Sequence, residues 1–218
     1  MGVPRELFRA NARTLARLPI VLKVSYRGAC VAMHPHDSIL IISGTNRPDS
    51  STLRVARRVE RHYADAGIPA NLLNLEELGT EVFKPEAYAA KPPAFEAVQQ
   101  RVLDSAGLHV VLPEYNGSFP GVLKYFIDLL RFPESFDRKP VAFVGVTSGT
   151  WGALRAVEQM QMVFAHRHAH VYPERVFISD VARKFPPDGA LTDAALDDRL
   201  SQQVRGFAQF CGLFARRR

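Results

Sequence analysis

Hydroxyl-bearing residues, a glycine and an arginine crowd the segment 43–52, which reads SGTNRPDSST. Hydroxyls and a guanidinium donate hydrogen bonds to anions, and the free amides at the start of a helix add donors and a favourable dipole. If a helix begins within this segment, its residue types suit a phosphate group. An ordinary turn with Ser50 or Ser51 as helix N-cap uses the same types, and both interpretations stand. The candidate phosphate-binding residues are Thr45, Arg47, Ser50, Ser51, Thr52 and Leu53.

The kind of phosphate is narrowed by two motifs that this segment lacks. It has neither the GK[ST] ending of a P-loop nor the GxGxxG pattern of dinucleotide-binding folds. A terminal monophosphate ester, which hydroxyls and amides can surround, is therefore favoured over a pyrophosphate or a magnesium-bound triphosphate.

Strands and helices must position these residues. Short, almost wholly apolar runs such as SILIIS at 38–43 are typical of strands buried on both faces, and they alternate with segments of helical periodicity. We predict strands at 38–43, 70–75, 108–113, 140–146 and 169–178. We predict helices at 52–66, 94–106, 120–130, 152–165 and 194–214. Such alternation indicates an α/β fold, a doubly wound parallel sheet with helices on both faces.

Three loops rich in Gly, Ser, Thr and Asn follow predicted strands, at 43–52, 113–121 and 147–152. In a doubly wound sheet, ligands bind at the carboxyl ends of the strands, where such loops meet. We therefore expect the chemistry of the protein at this edge of the sheet.

Charge is concentrated at the two ends of the chain. The formal net charge is +6, but residues 1–32 hold six cations against one acidic residue, and 216–218 are three arginines. The remaining 33–215 is therefore mildly acidic. A nucleic-acid partner is not expected, because this body offers no basic face with interleaved aromatic residues.

The charge pattern divides the chain into two predicted parts. A basic N-terminal extension occupies 1–37 and is expected to be poorly ordered, and one domain occupies 38–215. Because arginines recur every fourth residue from Arg5 to Arg17, two alternatives remain for the extension. They are an amphipathic helix on an anionic membrane and an organelle transit peptide.

Membrane spans, disulfides and metal sites are not predicted. No uncharged apolar stretch approaches the length of about 18 residues that a membrane span needs. Cys30 and Cys211 are far apart, which argues against a disulfide scaffold or a cysteine-built zinc site and fits a reducing cytoplasm. The alternating His166, His168 and His170 could share a strand face as metal ligands. A basic helix–strand junction is the favoured interpretation, because no cysteine or carboxylate partner adjoins them.

The segment 113–128, PEYNGSFPGVLKYFID, resembles the PEYN-xx-PG-xLK-xxID signature of the NAD(P)H-dependent FMN reductase family. The first loop is similar to that family's GSxRxxSxN pattern, with Thr45 in place of Ser and Thr52 in place of Asn. The loop TSGTWG at 147–152 resembles the family's glycine-rich third turn, and DGALTD at 188–193 resembles a late DxxGxLxD segment. In this order the similarity covers most of the predicted domain.

This resemblance implies a flavodoxin-like sheet of order 2-1-3-4-5, with the FMN phosphate on the first loop and the isoalloxazine ring against the second. Pro113 and Tyr115 offer apolar surface to the ring, the amides of 115–117 suit its polar edge, and Gly117 permits close approach. The ring-site residues so implied are Pro113, Glu114, Tyr115, Asn116, Gly117, Ser148 and Gly149. Without the resemblance, Tyr115 would be assigned to the core and Asn116–Gly117 to a plain turn.

The activity implied is an FMN-dependent oxidoreductase with NADPH or NADH as co-substrate. Two electrons would pass by hydride transfer through flavin N5 to a quinone, an azo compound, a metal oxyanion or free flavin. The cofactor carries this chemistry, so no catalytic acid or base is assigned, and Glu114 is expected to be structural. Two other classes remain open: a flavodoxin-like electron-transfer protein that binds FMN without NAD(P)H turnover, and a binding domain that has lost flavin.

Family resemblance also implies a homodimer or homotetramer. The helix that carries Lys124 and Asp128 would then lie at a subunit interface, although the pair on its own indicates only a solvated ion pair. Phe119 and Trp151 would cover the flavin of a neighbouring subunit.

Overall fold

A five-stranded parallel sheet runs through the molecule in the computed structural model, which describes residues 38–186 and 191–214. The strands follow the spatial order β2-β1-β3-β4-β5, and every neighbouring pair is parallel. The predicted flavodoxin-like order is thereby confirmed. The strands are β1 (Ile39–Ser43), β2 (Ala70–Asn74), β3 (Gly107–Pro113), β4 (Pro140–Val146) and β5 (His170–Ile178).

Helices cover both faces of the sheet because its central strands are apolar on both sides. Every residue of β1, β3 and β4 is buried. Ile39 and Ile41 pack in one core cluster with α1 and α6, whereas Leu40 and Ile42 pack in the other with α2, α3 and α4. The helices are α1 (Ser51–Asp65), α2 (Pro93–Asp104), α3 (Gly121–Leu129), α4 (Leu154–His166), α5 (Val181–Lys184) and α6 (Ala194–Phe214).

The predicted strands agree with the structure to within one residue and the predicted helices to within two. The helix predicted from 152 begins at Leu154, because Gly152 and Ala153 both have left-handed backbone conformations. Sequence periodicity missed α5 and three short 3-10 turns at 75–78, 81–83 and 85–88. These elements are too short to show a helical period.

The edge strand β5 departs from regular pairing. Val141 pairs with Val171, but Phe143 pairs with Arg175, so the residues between them on β5 bulge from the ladder. Pro173 lies in this bulge and has no amide hydrogen to donate to a neighbouring strand. Proline in a strand is tolerated at such an edge position.

A chain of buried polar groups holds the bulge to the core. Both amide hydrogens of Gln203 are donated to main-chain carbonyls, those of Phe143 at 3.0 Å and Glu174 at 2.9 Å. The Gln203 Oε1 therefore accepts from His109 Nε2 at 3.3 Å, and His109 Nδ1 accepts from the Tyr63 hydroxyl at 2.8 Å. Burial lowers the pKa of His109 to about 4, so the imidazole is neutral at pH 7.

Further expectations from the sequence concern the N-terminal extension, the cysteines, the alternating histidines and membrane spans. The predicted extension at 1–37 lies outside the described residues, as does Cys30, while Cys211 is a buried free thiol. Of the three alternating histidines, His170 stacks on Phe214 and His168 lies 3.8 Å from Asp137. In the part of the chain that the structure describes, no helix is long and apolar enough to cross a membrane.

Candidate functional site

The first loop begins after β1 and packs closely against β3. The Gly44 amide donates to the Val111 carbonyl at 2.8 Å. A Cβ at Gly44 would lie 3.0 Å from both that carbonyl oxygen and Leu123 Cδ2, so a larger residue would push the loop away from the sheet. The loop then exposes Arg47 and turns into α1.

The start of α1 offers unpaired donors. Ser50, one of the two predicted N-cap candidates, is the N-cap, and its Oγ accepts from the Leu53 amide at 3.1 Å. Within the described residues the amides of Ser51 and Thr52 have no hydrogen-bond partner, as expected for the first turn of a helix. No acidic residue occupies this turn. The helix end therefore retains its affinity for an anion.

The second loop is a tight hairpin. The Tyr115 amide donates to the Ser118 carbonyl at 2.8 Å, and the Ser118 amide donates back at 3.0 Å. Asn116 and Gly117 form its tip with φ values of 52° and 79°, the left-handed pair that an Asn-Gly turn favours. Their amides have no partner within 38–186 or 191–214, so they point to a ligand or solvent. The expectation that the Tyr115 amide is also available is wrong, because the hairpin uses it.

Helix α4 fixes both ends of this hairpin. Arg155 Nη1 donates to Glu114 Oε1 at 2.8 Å, and the Ser118 hydroxyl donates to Gln159 Oε1 at 2.6 Å. The Gln159 Nε2 also donates to the Gly117 carbonyl at 3.3 Å. Glu114 is thus held in an ion pair, and the structural role expected for it stays a prediction. Sequence reasoning missed Gln159, although its spacing of four from Arg155 places both on one helix face.

The third loop returns over the end of β4. The Gly149 amide donates to the Thr147 hydroxyl at 3.1 Å, and Ser148 is exposed beside it. Gly145 must lack a side chain, because a Cβ there would collide with the Gly152 carbonyl. Trp151 projects from the loop with 66 % of its surface exposed.

The first two loops meet through a side-chain contact that the sequence did not show. The buried Thr45 Oγ1 lies 2.9 Å from the Tyr115 hydroxyl and also accepts from the Arg47 amide at 3.3 Å. The Thr45–Tyr115 contact joins the first loop to the second, and the bonds from Arg155 and Gln159 join the second loop to α4, the helix that follows the third loop. Pro113, Thr52 and Leu53 are buried, and their part in cofactor binding stays a prediction.

The sequence is similar to those of known reductases. Residues 38–184 match the family described as NADPH-dependent FMN reductase. An NAD(P)H-dependent FMN reductase of Pseudomonas aeruginosa is 33 % identical over 132 residues, which are 58 % of this chain and 71 % of that protein. A quinone reductase of Escherichia coli is 27 % identical over 180 residues, 79 % of this chain and 94 % of that protein.

Solved structures share the fold. A flavoenzyme NAD(P)H:(acceptor) oxidoreductase from Paracoccus denitrificans superposes with a TM-score of 0.66 at 21 % identity, covering 80 % of this chain and 97 % of that one. An oxidoreductase from Corynebacterium diphtheriae gives a TM-score of 0.67 at 18 % identity, with 80 % and 96 % covered. The structural match establishes the flavodoxin-like architecture, and the sequence match covers all three loops. The chain belongs to the NADPH-dependent FMN reductase family of oxidoreductases.

Proposed function

We propose that this chain is an FMN-dependent NAD(P)H oxidoreductase that passes two electrons to a small-molecule acceptor. One observation carries the proposal: unpaired amides and hydroxyls from loops after adjacent strands converge at the carboxyl edge of the sheet. Family membership supports the same reaction class.

The first loop fits a terminal phosphate. The free amides of Ser51 and Thr52 and the hydroxyl of Ser51 lie at the positive end of α1, and Arg47 is exposed nearby. A phosphate monoester carries close to two negative charges and accepts several hydrogen bonds, so this donor set suits it. The Thr45 hydroxyl is already paired with Tyr115, and its part in the site is to shape the loop.

The second and third loops fit the flavin ring. The hairpin tip offers the amides of Asn116 and Gly117, and Tyr115, which is 39 % exposed, offers an aromatic face. Ser148 and Gly149 line the remaining side. Because the hairpin is held by backbone pairing and by α4, its donors are oriented before any ligand arrives.

Bound FMN would supply the redox chemistry, namely hydride uptake at N5 from NADPH or NADH and transfer of two electrons to a quinone, an azo compound, a metal oxyanion or free flavin. The residues of this chain would bind and orient the cofactor. The amides of Asn116 and Gly117 would stabilise negative charge on the polar edge of the ring. Arg155 neutralises Glu114, so this carboxylate does not oppose that charge.

Self-association is part of the proposal. Trp151 and Met162 are both about two-thirds exposed, at the third loop and on α4, and large exposed apolar side chains are common at interfaces. A homodimer or homotetramer would cover them. Sedimentation velocity of the wild type and of Trp151→Ser tests this, because a monomer at all concentrations would contradict it.

The test of the proposed function uses the purified full-length chain. FMN is added, unbound flavin is removed, and the retained visible absorbance is measured before and after anaerobic NADPH or NADH. Menadione is then supplied and steady-state oxidation of the nicotinamide is followed. Bound flavin that is bleached and turns over supports the proposal. Bound flavin that is not reduced favours an electron-transfer protein, and a chain that retains no flavin overturns the proposal.

A further inference from the structure

Arg54 lies against the first loop, although it is not part of the family pattern there. Its side chain is half-buried on the first turn of α1. Nη1 donates to the Asp49 carbonyl at 3.1 Å, and Nη2 donates to Ser51 Oγ at 2.8 Å and to the Phe185 carbonyl at 3.4 Å. These bonds hold the guanidinium between the loop and the segment after α5.

The charge of Arg54 has no counter-ion in the described part of the chain. No carboxylate of these residues lies within 4.0 Å of its nitrogen atoms, and its buried Nε has no hydrogen-bond partner there. Arg54 also lies in the first turn of α1, where the helix dipole is positive and no acidic residue compensates it. A half-buried cation at the positive end of a helix is unfavourable unless an anion binds nearby.

Ser51 connects this charge to the loop surface. Its Oγ accepts a hydrogen bond from Arg54, which leaves its hydroxyl hydrogen to be donated elsewhere. A hydroxyl that accepts from a cation becomes a stronger donor through it, because the hydrogen bonds polarise one another. The Ser51 amide is unpaired at the same position. Ser51 therefore presents two donors on one residue, with the positive charge behind them.

We infer that Arg54 is a positioning residue for the cofactor phosphate, acting through Ser51 and through the loop carbonyl of Asp49. This inference rests on the proposed function, since it takes the phosphate of FMN as the anion. It assigns to Arg54 a share of the discrimination between a flavin that carries a phosphate and one that does not. Arg54 contributes charge and loop geometry without touching the isoalloxazine ring.

The test compares FMN with riboflavin, which has the same ring and no phosphate. Dissociation constants of both are measured by quenching of flavin fluorescence for the wild type, Arg54→Gln and Arg54→Lys. Arg57→Gln is the matched control, because Arg57 is an exposed arginine on the same helix and its loss changes the net charge equally. We expect Arg54→Gln to raise the dissociation constant of FMN about tenfold and that of riboflavin less than twofold, since charge-assisted hydrogen bonds are lost only for the phosphate. Arg54→Lys, which keeps the charge, is expected to restore part of the FMN affinity.

A double-variant cycle tests the route through Ser51. If Arg54 acts through this hydroxyl, Arg54→Gln costs less FMN affinity in a Ser51→Ala background than in the wild type. Thermal melting of the ligand-free variants checks that they fold. If Arg54→Gln does not fold, Arg54→Lys is the deciding variant: we expect its dissociation constant for FMN to rise about threefold and its riboflavin binding to stay unchanged. Equal losses for FMN and riboflavin, additive effects of the two substitutions, or an equal effect of Arg57→Gln each overturn the inference. If no flavin binds to the wild type, the proposed function fails as well; unchanged FMN affinity in Arg54→Gln overturns the inference alone.

Discussion

Acid should destabilise this fold through one buried imidazole, that of His109. The side chain is fully buried, and burial lowers its pKa from 6.5 to about 4. The unfolded chain therefore takes up a proton as the pH falls below the unfolded value, whereas the folded chain does not until near pH 4. Stability from this group is complete above the unfolded pKa and is lost as pH falls towards the folded one.

The magnitude follows from the shift. Each unit of pKa difference is worth about 1.4 kcal/mol, so a shift from 6.5 to about 4 makes His109 cost about 3 kcal/mol of folding free energy between roughly pH 7 and pH 4. Gln203 is fixed as an acceptor towards His109, because both its amide hydrogens are donated elsewhere. This acceptor places the imidazole hydrogen on Nε2 and by itself raises the pKa, but burial has the larger effect and lowers the pKa to about 4.

Urea unfolding at several pH values measures this effect. We expect the wild type to exceed His109→Gln in stability at pH 7 and the gap to shrink by about 3 kcal/mol at about pH 4, because the variant has nothing to titrate there. Tyr63→Phe is the control: it removes the hydroxyl that donates to His109 but keeps the buried titrating group, so its stability should keep most of the wild-type pH dependence. Parallel curves for the wild type and His109→Gln would refute the reasoning.

Other substitutions test the site and the packing of α1 on α6. Gly117→Ala should strain the hairpin tip by about 1 kcal/mol and weaken flavin binding in a fluorescence titration, whereas Gly121→Ala, where a Cβ meets nothing, should not; equal effects would contradict the left-handed requirement. Gln159→Ala removes two hydrogen bonds to the hairpin and should weaken FMN binding several-fold in the same titration, with little change in melting temperature. Unchanged affinity would show that these two hydrogen bonds are not needed for binding. The pKa of Asp197 is held below its usual value by its hydrogen bond to Arg58, so Asp197→Asn should lower the free energy of unfolding by about 2 kcal/mol at pH 7, and a loss near zero in urea would argue against the pair.

The sequence alone was enough to predict the fold class, which the structure confirms, and the location of the candidate site. Strands buried on both faces need runs of apolar residues such as 39–43, and their alternation with helices admits a doubly wound parallel sheet. The three loops were visible because tight turns and helix starts demand glycine, asparagine and hydroxyl residues, as Ser50 and the Asn116–Gly117 pair show. Turns, helix starts and buried strands each require particular residue types within a few positions of one another, so they can be recognised in the sequence.

Contacts between distant segments were decided only by the tertiary structure. The Thr45–Tyr115 contact spans 70 positions, and Ser118 meets Gln159 across 41. Nothing in the residue types predicts these pairs, because a hydroxyl or an amide bonds whichever partner the packing brings near. The same holds for the Arg54 guanidinium, whose lack of a counter-ion appears only when all surrounding elements are in place. Chain pattern specifies which backbone forms; the packing of that backbone specifies which polar groups are left to bind a ligand.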